Sequence, residues 1–207
     1  MEGINKNIMI RKLEKSDDLE KVACLIYKTD VSLFSFLFGK YEKAIPKIKK
    51  LVLLENNTFS HKYTYCSFER ETQGILIAYG HNEINEKNQD KDYKEVFSLF
   101  ELLSLSIKDP LVRFTLTKAQ PQEIYIQNIC VEQKCRGKGI GTSLLMYIID
   151  WAKSQGMNSL SLDVSIANEK AKRLYERLGF GVVQKKVYPF TSKGSYRMEL
   201  YLKKNRG

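Results

Sequence analysis

The chain has 207 residues, 43% of them hydrophobic and 28% charged, with a formal net charge of +10. That length and apolar content suit a single domain over 1–207 with a sizeable core. No apolar run reaches the roughly 18 residues that span a bilayer, and the opening MEGINKNIMIRKLEKSDD has no apolar leader core, so the expectation is a cytoplasmic protein with no membrane partner.

Residues 8–12 read as a first strand. Ser16 and Asp17 offer caps to a helix with Val22, Leu25 and Ile26 as its buried stripe, and Glu20 stands three residues after Asp17 as in a capping box. Residues 33–38 are short and aromatic. Ala44, Ile48, Leu51 and Val52 recur at helical spacing within 43–54, where Pro46 fits a first turn. Residues 63–68 and 75–79 read as strands joined by the polar ERETQG, and INEKNQDKD after them reads as a loop. Val96, Phe100, Leu103 and Ile107 mark a helix over about 93–107, so residues 82–120 form a helical insertion between strands.

Residues 124–131 form an apolar strand ending at a glycine-rich segment. Leu144, Leu145, Ile148, Ile149 and Ala152 then repeat at helical spacing up to Gly156. Leu160, Leu162 and Val164 alternate in a strand over 159–164. Asn168 is placed to cap a helix carrying Ala171, Leu174, Tyr175 and Leu178, which Gly179 ends. Residues 182–188 and 196–202 close the chain as an antiparallel pair. From 181 to 207 seven basic residues (Lys185, Lys186, Lys193, Arg197, Lys203, Lys204, Arg206) face one acid, Glu199. Their alternation with apolar residues suits a solvated strand face; interleaved aromatic and basic residues on one face are not evident, so nucleic acid is not an expected partner. Cys24, Cys66, Cys130 and Cys135 form no CxxC pair, and His61 and His81 are the only histidines. Reduced thiols and no metal are expected.

Gly137, Gly139 and Gly141 fall just before a helix, where glycine costs stability. The order strand, glycine turn, helix offers free amides and the positive end of a helix to an anion, with Arg136 and Lys138 at the rim. A pyrophosphate suits such a cradle. The P-loop spacing is absent. The glycines run G-x-G-x-G rather than the dinucleotide G-x-G-x-x-G, although Asp163 does lie in a following strand.

The segment Arg136-Gly137-Lys138-Gly139-Ile140-Gly141 resembles the R/Q-x-x-G-x-G/A signature of the GNAT superfamily of N-acetyltransferases. A second block, Asn168-Glu169-Lys170-Ala171 followed by Leu174-Tyr175 and Leu178-Gly179-Phe180, is similar to that family's N-x-x-A-x-x-L-Y-x-x-x-G-F pattern. The resemblance implies an α/β (α+β) fold: a central mixed, mostly antiparallel sheet of about seven strands flanked by helices, with its cofactor motifs over 123–188. It implies acetyl-CoA as co-substrate and an amine acceptor as partner. The main chain of Arg136, Gly137, Lys138, Gly139, Ile140, Gly141 and Thr142 would hold the pyrophosphate. The strand at 124–131 would splay from that at 159–164, so that Ile129, Cys130 and Val131 pair with the pantetheine arm. Tyr175 takes the general acid's position. Asn168 would bond the cofactor, cap the helix, or both, and Ala171 shares that helix. No base stands out among Glu123, Tyr125 and Gln127, of which only Glu123 is a conventional one. The aromatic residues Phe34, Phe36, Phe38 and Tyr41 suit an acceptor pocket, core packing or a dimer contact, and a homodimer is compatible with the family. The alternative function is an acetyl-CoA-binding sensor or interaction module without catalysis.

Overall fold

The computed structural model describes residues 8–115, 119–187 and 193–202. Seven strands form one sheet in the order β1-β2-β3-β4-β5-β7-β6, where β1 is Met9–Lys12, β2 Thr64–Phe68, β3 Thr72–Gly80, β4 Glu123–Val131, β5 Ser159–Ser165, β6 Gly181–Val187 and β7 Gly194–Tyr201. Every neighbouring pair is antiparallel except β4 with β5. This is the mixed, mostly antiparallel sheet expected.

Both faces are covered. The helices α1 (Leu19–Thr29) and α3 (Tyr41–Leu53) bury Val22, Leu25, Ile26, Ile48 and Leu51 against Ile75 and Ile77. On the other face α6 (Ile140–Ser154) buries Leu144, Leu145 and Ile148 against Leu76, Ile126, Leu160 and Leu162. Because β3 and β4 are central, their apolar residues run on rather than alternate, as in a sheet buried on both sides. Each such side chain contributes roughly 1.5–3 kcal/mol on burial.

Several elements depart from the sequence reading. The cap of α1 is Asp18, which accepts from the Lys21 amide. Asp17 is instead taken by Arg11, at 2.7 and 2.8 Å, and by the Glu14 amide. The aromatic stretch is a helix, α2 (Val31–Phe38), capped by Asp30. Because α3 starts at Tyr41, Pro46 falls in its second turn and removes one donor there. β3 begins at Thr72, which leaves only residues 69–71 as the hairpin connection.

The expected loop at 84–92 is α4 (Glu86–Val96), capped by Asn85. Its buried Asp92 accepts from Asn56 and Asn57. The expected single helix over 93–107 is broken at Phe97, and α5 (Leu99–Thr115) follows. A reciprocal cap starts α5: the Glu101 amide donates to Ser98 Oγ, and Glu101 Oε2 accepts from the Ser98 amide. Tyr188, Lys203, Lys204 and Arg206 lie outside the described residues. Arg197 is buried rather than solvated, held by Glu123 at 2.6 Å and Glu199 at 2.9 Å. Among the described residues no helix is long and apolar enough to cross a membrane.

Candidate functional site

The glycine segment leaves β4 through a single 3₁₀ turn at Gln133–Cys135. Glu132 fixes its origin. The Glu132 amide donates to the Gln73 carbonyl at 2.8 Å, and its carboxylate holds Lys21 at 2.5 Å and Lys28 at 3.4 Å, both on α1. The Lys21 ammonium lowers the Glu132 carboxyl to about 2.

Gly137 (φ 77°) and Gly139 (φ 80°) are left-handed, a conformation that penalises a Cβ. A Cβ built on either would meet nothing within 4 Å, so the space before them is open. Gly141 differs. Its φ is not positive, and its Cβ would touch Val131 and Leu174 at ordinary distances of 3.7 and 3.8 Å. Gly139 caps α6 without any side-chain acceptor, which leaves the first-turn amides of Ile140, Gly141 and Thr142 uncapped. Arg136 Nε donates to the Val131 carbonyl at 3.3 Å, and Lys138 is exposed.

Beside this turn the sheet opens. β4 and β5 pair only from Glu123 with Ser159 to Ile126 with Leu162. A bulge in the β3–β4 ladder falls between Ile77 and Ala78, opposite Gln127. Beyond it Ile129, Cys130 and Val131 keep β3 on one side and, among the described residues, have no strand on the other. The side chains of Ile129 and Val131 pack toward α6, while Cys130 is buried toward α1 with its thiol pKa raised by burial. The Cys130 carbonyl faces β3, where a Cβ on Gly74 would lie 3.1 Å from it, so strand alternation turns the main chain of Ile129 and Val131 to the gap and not that of Cys130.

Across the gap stands α7 (Glu169–Arg177). Asn168 Oδ1 accepts from the Ala171 amide at 3.2 Å and so caps it. Tyr175 is buried with its ring edge-on to Phe180, centroids 6.0 Å apart, and burial raises its phenol to about 12. Ala171 and Leu174 pack against the same cluster.

The α1 side of the gap carries contacts the sequence reading missed. Tyr125 Oη donates to Asp163 Oδ2 at 3.0 Å, and Tyr79 Oη donates to Gln127 Oε1 at 2.9 Å. Gln127 continues to Asn128 at 3.0 Å, and Asn128 to Thr29 Oγ1 at 2.8 Å. Asp163 lies one residue beyond the last β4–β5 pair, and strand alternation sets it opposite in face to Leu162 and Val164. That alternation was the available signal, because a carboxylate in mid-strand needs a partner. Burial and Asp163 push the Tyr125 phenol well above its ordinary value, so Tyr125 is a donor and no base. Glu123 is no base at the gap either: it is buried at the paired end of β4 and bound to Arg197. Among the described residues no group of His, Cys, Asp and Glu could hold a metal ion.

The chain matches the family model described as acetyltransferase (GNAT) family over residues 55–180. It is 33% identical over 89 residues to the ribosomal protein bS18-alanine N-acetyltransferase of Salmonella typhimurium, a match covering 42% of this chain and 60% of that one. With the Escherichia coli K12 protein of the same description the identity is 32% over 83 residues, covering 39% and 56%. The chain thus spans less than two thirds of the length of these curated relatives. Among solved structures, an N-acetyltransferase from Staphylococcus aureus Mu50 superposes with a TM-score of 0.72 at 22% identity, covering 93% of this chain and all of that one. An acetyltransferase from Salmonella typhimurium solved with acetyl-CoA gives 0.60 at 15% identity, covering 98% of each. Both likenesses bear on the fold.

Proposed function

The chain belongs to the GNAT acetyltransferase family, and from that premise we propose that it transfers the acetyl group of acetyl-CoA to a primary amine. One observation carries the reading: two left-handed glycines and an uncapped helix start open onto a strand edge left unpaired by the parting of β4 and β5. The amides from Arg136 to Thr142 hold the pyrophosphate, and Arg136 and Lys138 add charge beside it. Main-chain groups of Ile129 and Val131 take the pantetheine amides as an added strand takes its neighbour, with Cys130 holding the strand to β3 between them. Asn168, whose Oδ1 is engaged as a cap, offers its Nδ2 to the same ligand.

The reaction needs a neutral amine and a protonated leaving sulfur. Asp163 takes the proton of the incoming ammonium, and the Tyr125 hydrogen bond orients its carboxylate. The amine nitrogen forms its bond to the thioester carbon, and the carbon–sulfur bond breaks as the tetrahedral intermediate collapses. Tyr175 donates its proton to the departing sulfur and regains one as the amide nitrogen loses its own.

Calorimetric titration with acetyl-CoA, followed by free-thiol release over an amine panel, tests this. A peptide beginning with alanine belongs in the panel because the curated relatives are named for the alanine of ribosomal protein bS18. Binding with release on at least one amine is expected; no binding at millimolar acetyl-CoA overturns the reading. Binding with no turnover over the whole panel favours the acetyl-CoA sensor, for which the deep burial of Tyr175 speaks.

A further inference from the structure

α5 is apolar on more than one side. Its Leu102 and Leu105 pack on the core under α1 and α3, yet Leu99, Phe100, Leu103 and Ile107 are 79%, 84%, 60% and 73% exposed. A helix in water ordinarily keeps polar residues on its outer face. Phe36 of α2 adjoins this stripe, because Lys108 Nζ lies 4.9 Å from its ring and donates to its carbonyl at 2.6 Å. Taking a large apolar side chain as about 200 Å², these five expose roughly 700 Å² together. That exceeds the roughly 300–600 Å² of the largest apolar patch on a typical monomer and approaches the ~800 Å² each partner gives to a standard interface.

The spacing says what fits there. Leu99, Leu103 and Ile107 stand four residues apart and make one i±4 ridge with Leu103 in the middle. Such a ridge is complementary to an antiparallel copy of itself: Leu103 meets its own counterpart and Leu99 meets Ile107. The charges beside it are already engaged within the chain, Glu101 with Lys47 and Lys108 with the Phe36 carbonyl. Glu101 is neutralised by Lys47, and the one tethered ammonium of Lys108 is not the cluster of roughly four to eight cations that binds an anionic lipid surface. We propose that the Leu99–Leu103–Ile107 ridge of α5 packs antiparallel against the same ridge of a second copy, around a two-fold axis through Leu103. The helices then cross at about 50°, the usual angle of i±4 ridges. Screening over about 8 Å at physiological salt damps the repulsion between two chains of net +10.

The experiment is sedimentation and light scattering of the whole chain at about 100 µM, well above the micromolar affinities of ordinary interfaces, with no cofactor and no turnover required. The wild-type chain is expected at twice its 24.0 kDa mass, and Leu103→Asp at the single mass with an unchanged circular-dichroism spectrum. Leu103→Cys is expected to oxidise to a covalent dimer, and Leu99→Cys alone is not. Three results overturn the proposal: a monomeric wild type, a Leu103→Asp variant that stays dimeric, or wild type captured as monomer by phosphatidylserine vesicles and released by that substitution. Should Leu103→Asp misfold, the two cysteine variants decide by which of them cross-links.

Discussion

Tyr175 shows what burial does to a single side chain. A phenol that must donate works only while protonated, and burial moves its pKa from 10.0 to about 12. Turnover should therefore rise with pH as the acceptor amine loses its proton, and then hold past pH 10 rather than fall, which a pH–rate profile checks. Tyr175→Phe should lower kcat about 10²- to 10⁴-fold while calorimetry finds acetyl-CoA affinity nearly unchanged. Glu132 works in the opposite direction. Lys21 lowers its carboxyl from 4.5 to about 2, so the stability it adds is complete above pH 4.5 and is lost as pH falls toward 2. Glu132→Gln should cost about 1–2 kcal/mol at pH 7 and much less at pH 2, read from urea midpoints at both values. The places of Tyr175 on α7 and of Asn168 as its cap were legible because they are local: a helix face, and a cap three residues away. Asp163 with Tyr125, and Glu123 with Arg197, were not, since strand register brings together side chains 38 and 74 residues apart.

Among the elements, the glycine turn and β3 test two different uses of glycine. Gly139→Ala should cost only about 1 kcal/mol, because its left-handed φ is penalised but nothing crowds the new methyl. The same methyl projects into the open cradle, so affinity for acetyl-CoA should drop at least about tenfold, or about 1.4 kcal/mol. Gly74 has an ordinary φ and no such space. Its Cβ would lie 3.1 Å from the Cys130 carbonyl and from Ile140, and 3.2 Å from Leu144. Gly74→Val should therefore destabilise the fold by about 1–3 kcal/mol, seen as a lowered Tm. Strong periodicity made α1, α6 and α7 readable. α4 was not: EKNQDKDYKEV has apolar residues only near its end, Tyr93 and Val96, and its buried Asp92 is held by Asn56 and Asn57. The Ser98–Glu101 cap of α5 was visible in the sequence and would have separated α4 from α5.

At the scale of the whole molecule, a net charge of +10 does not describe every part of the surface. At the paired end of β4 and β5, Glu123 and Glu199 hold the buried guanidinium of Arg197. Local charge governs what approaches a cleft once the rest is screened. The family resemblance implied a mixed, mostly antiparallel sheet of about seven strands, and seven are found in one sheet among the described residues. The motifs could not foretell that α5 turns a greasy ridge outward.

The parting of β4 from β5 has a mechanical consequence. Strands β1 to β4 make one leaf and β5, β7 and β6 another, and four residue pairs stitch them along a seam that α6 bridges from behind. A ligand laid in the unstitched half would lengthen that seam, as mortar completes a joint. Amides of Ile129, Val131 and Ser165 should then exchange with deuterium more slowly when acetyl-CoA is present, while those of the outer strand β1 keep their pace. The substrate would be, for as long as it stays, part of what holds the two leaves in register.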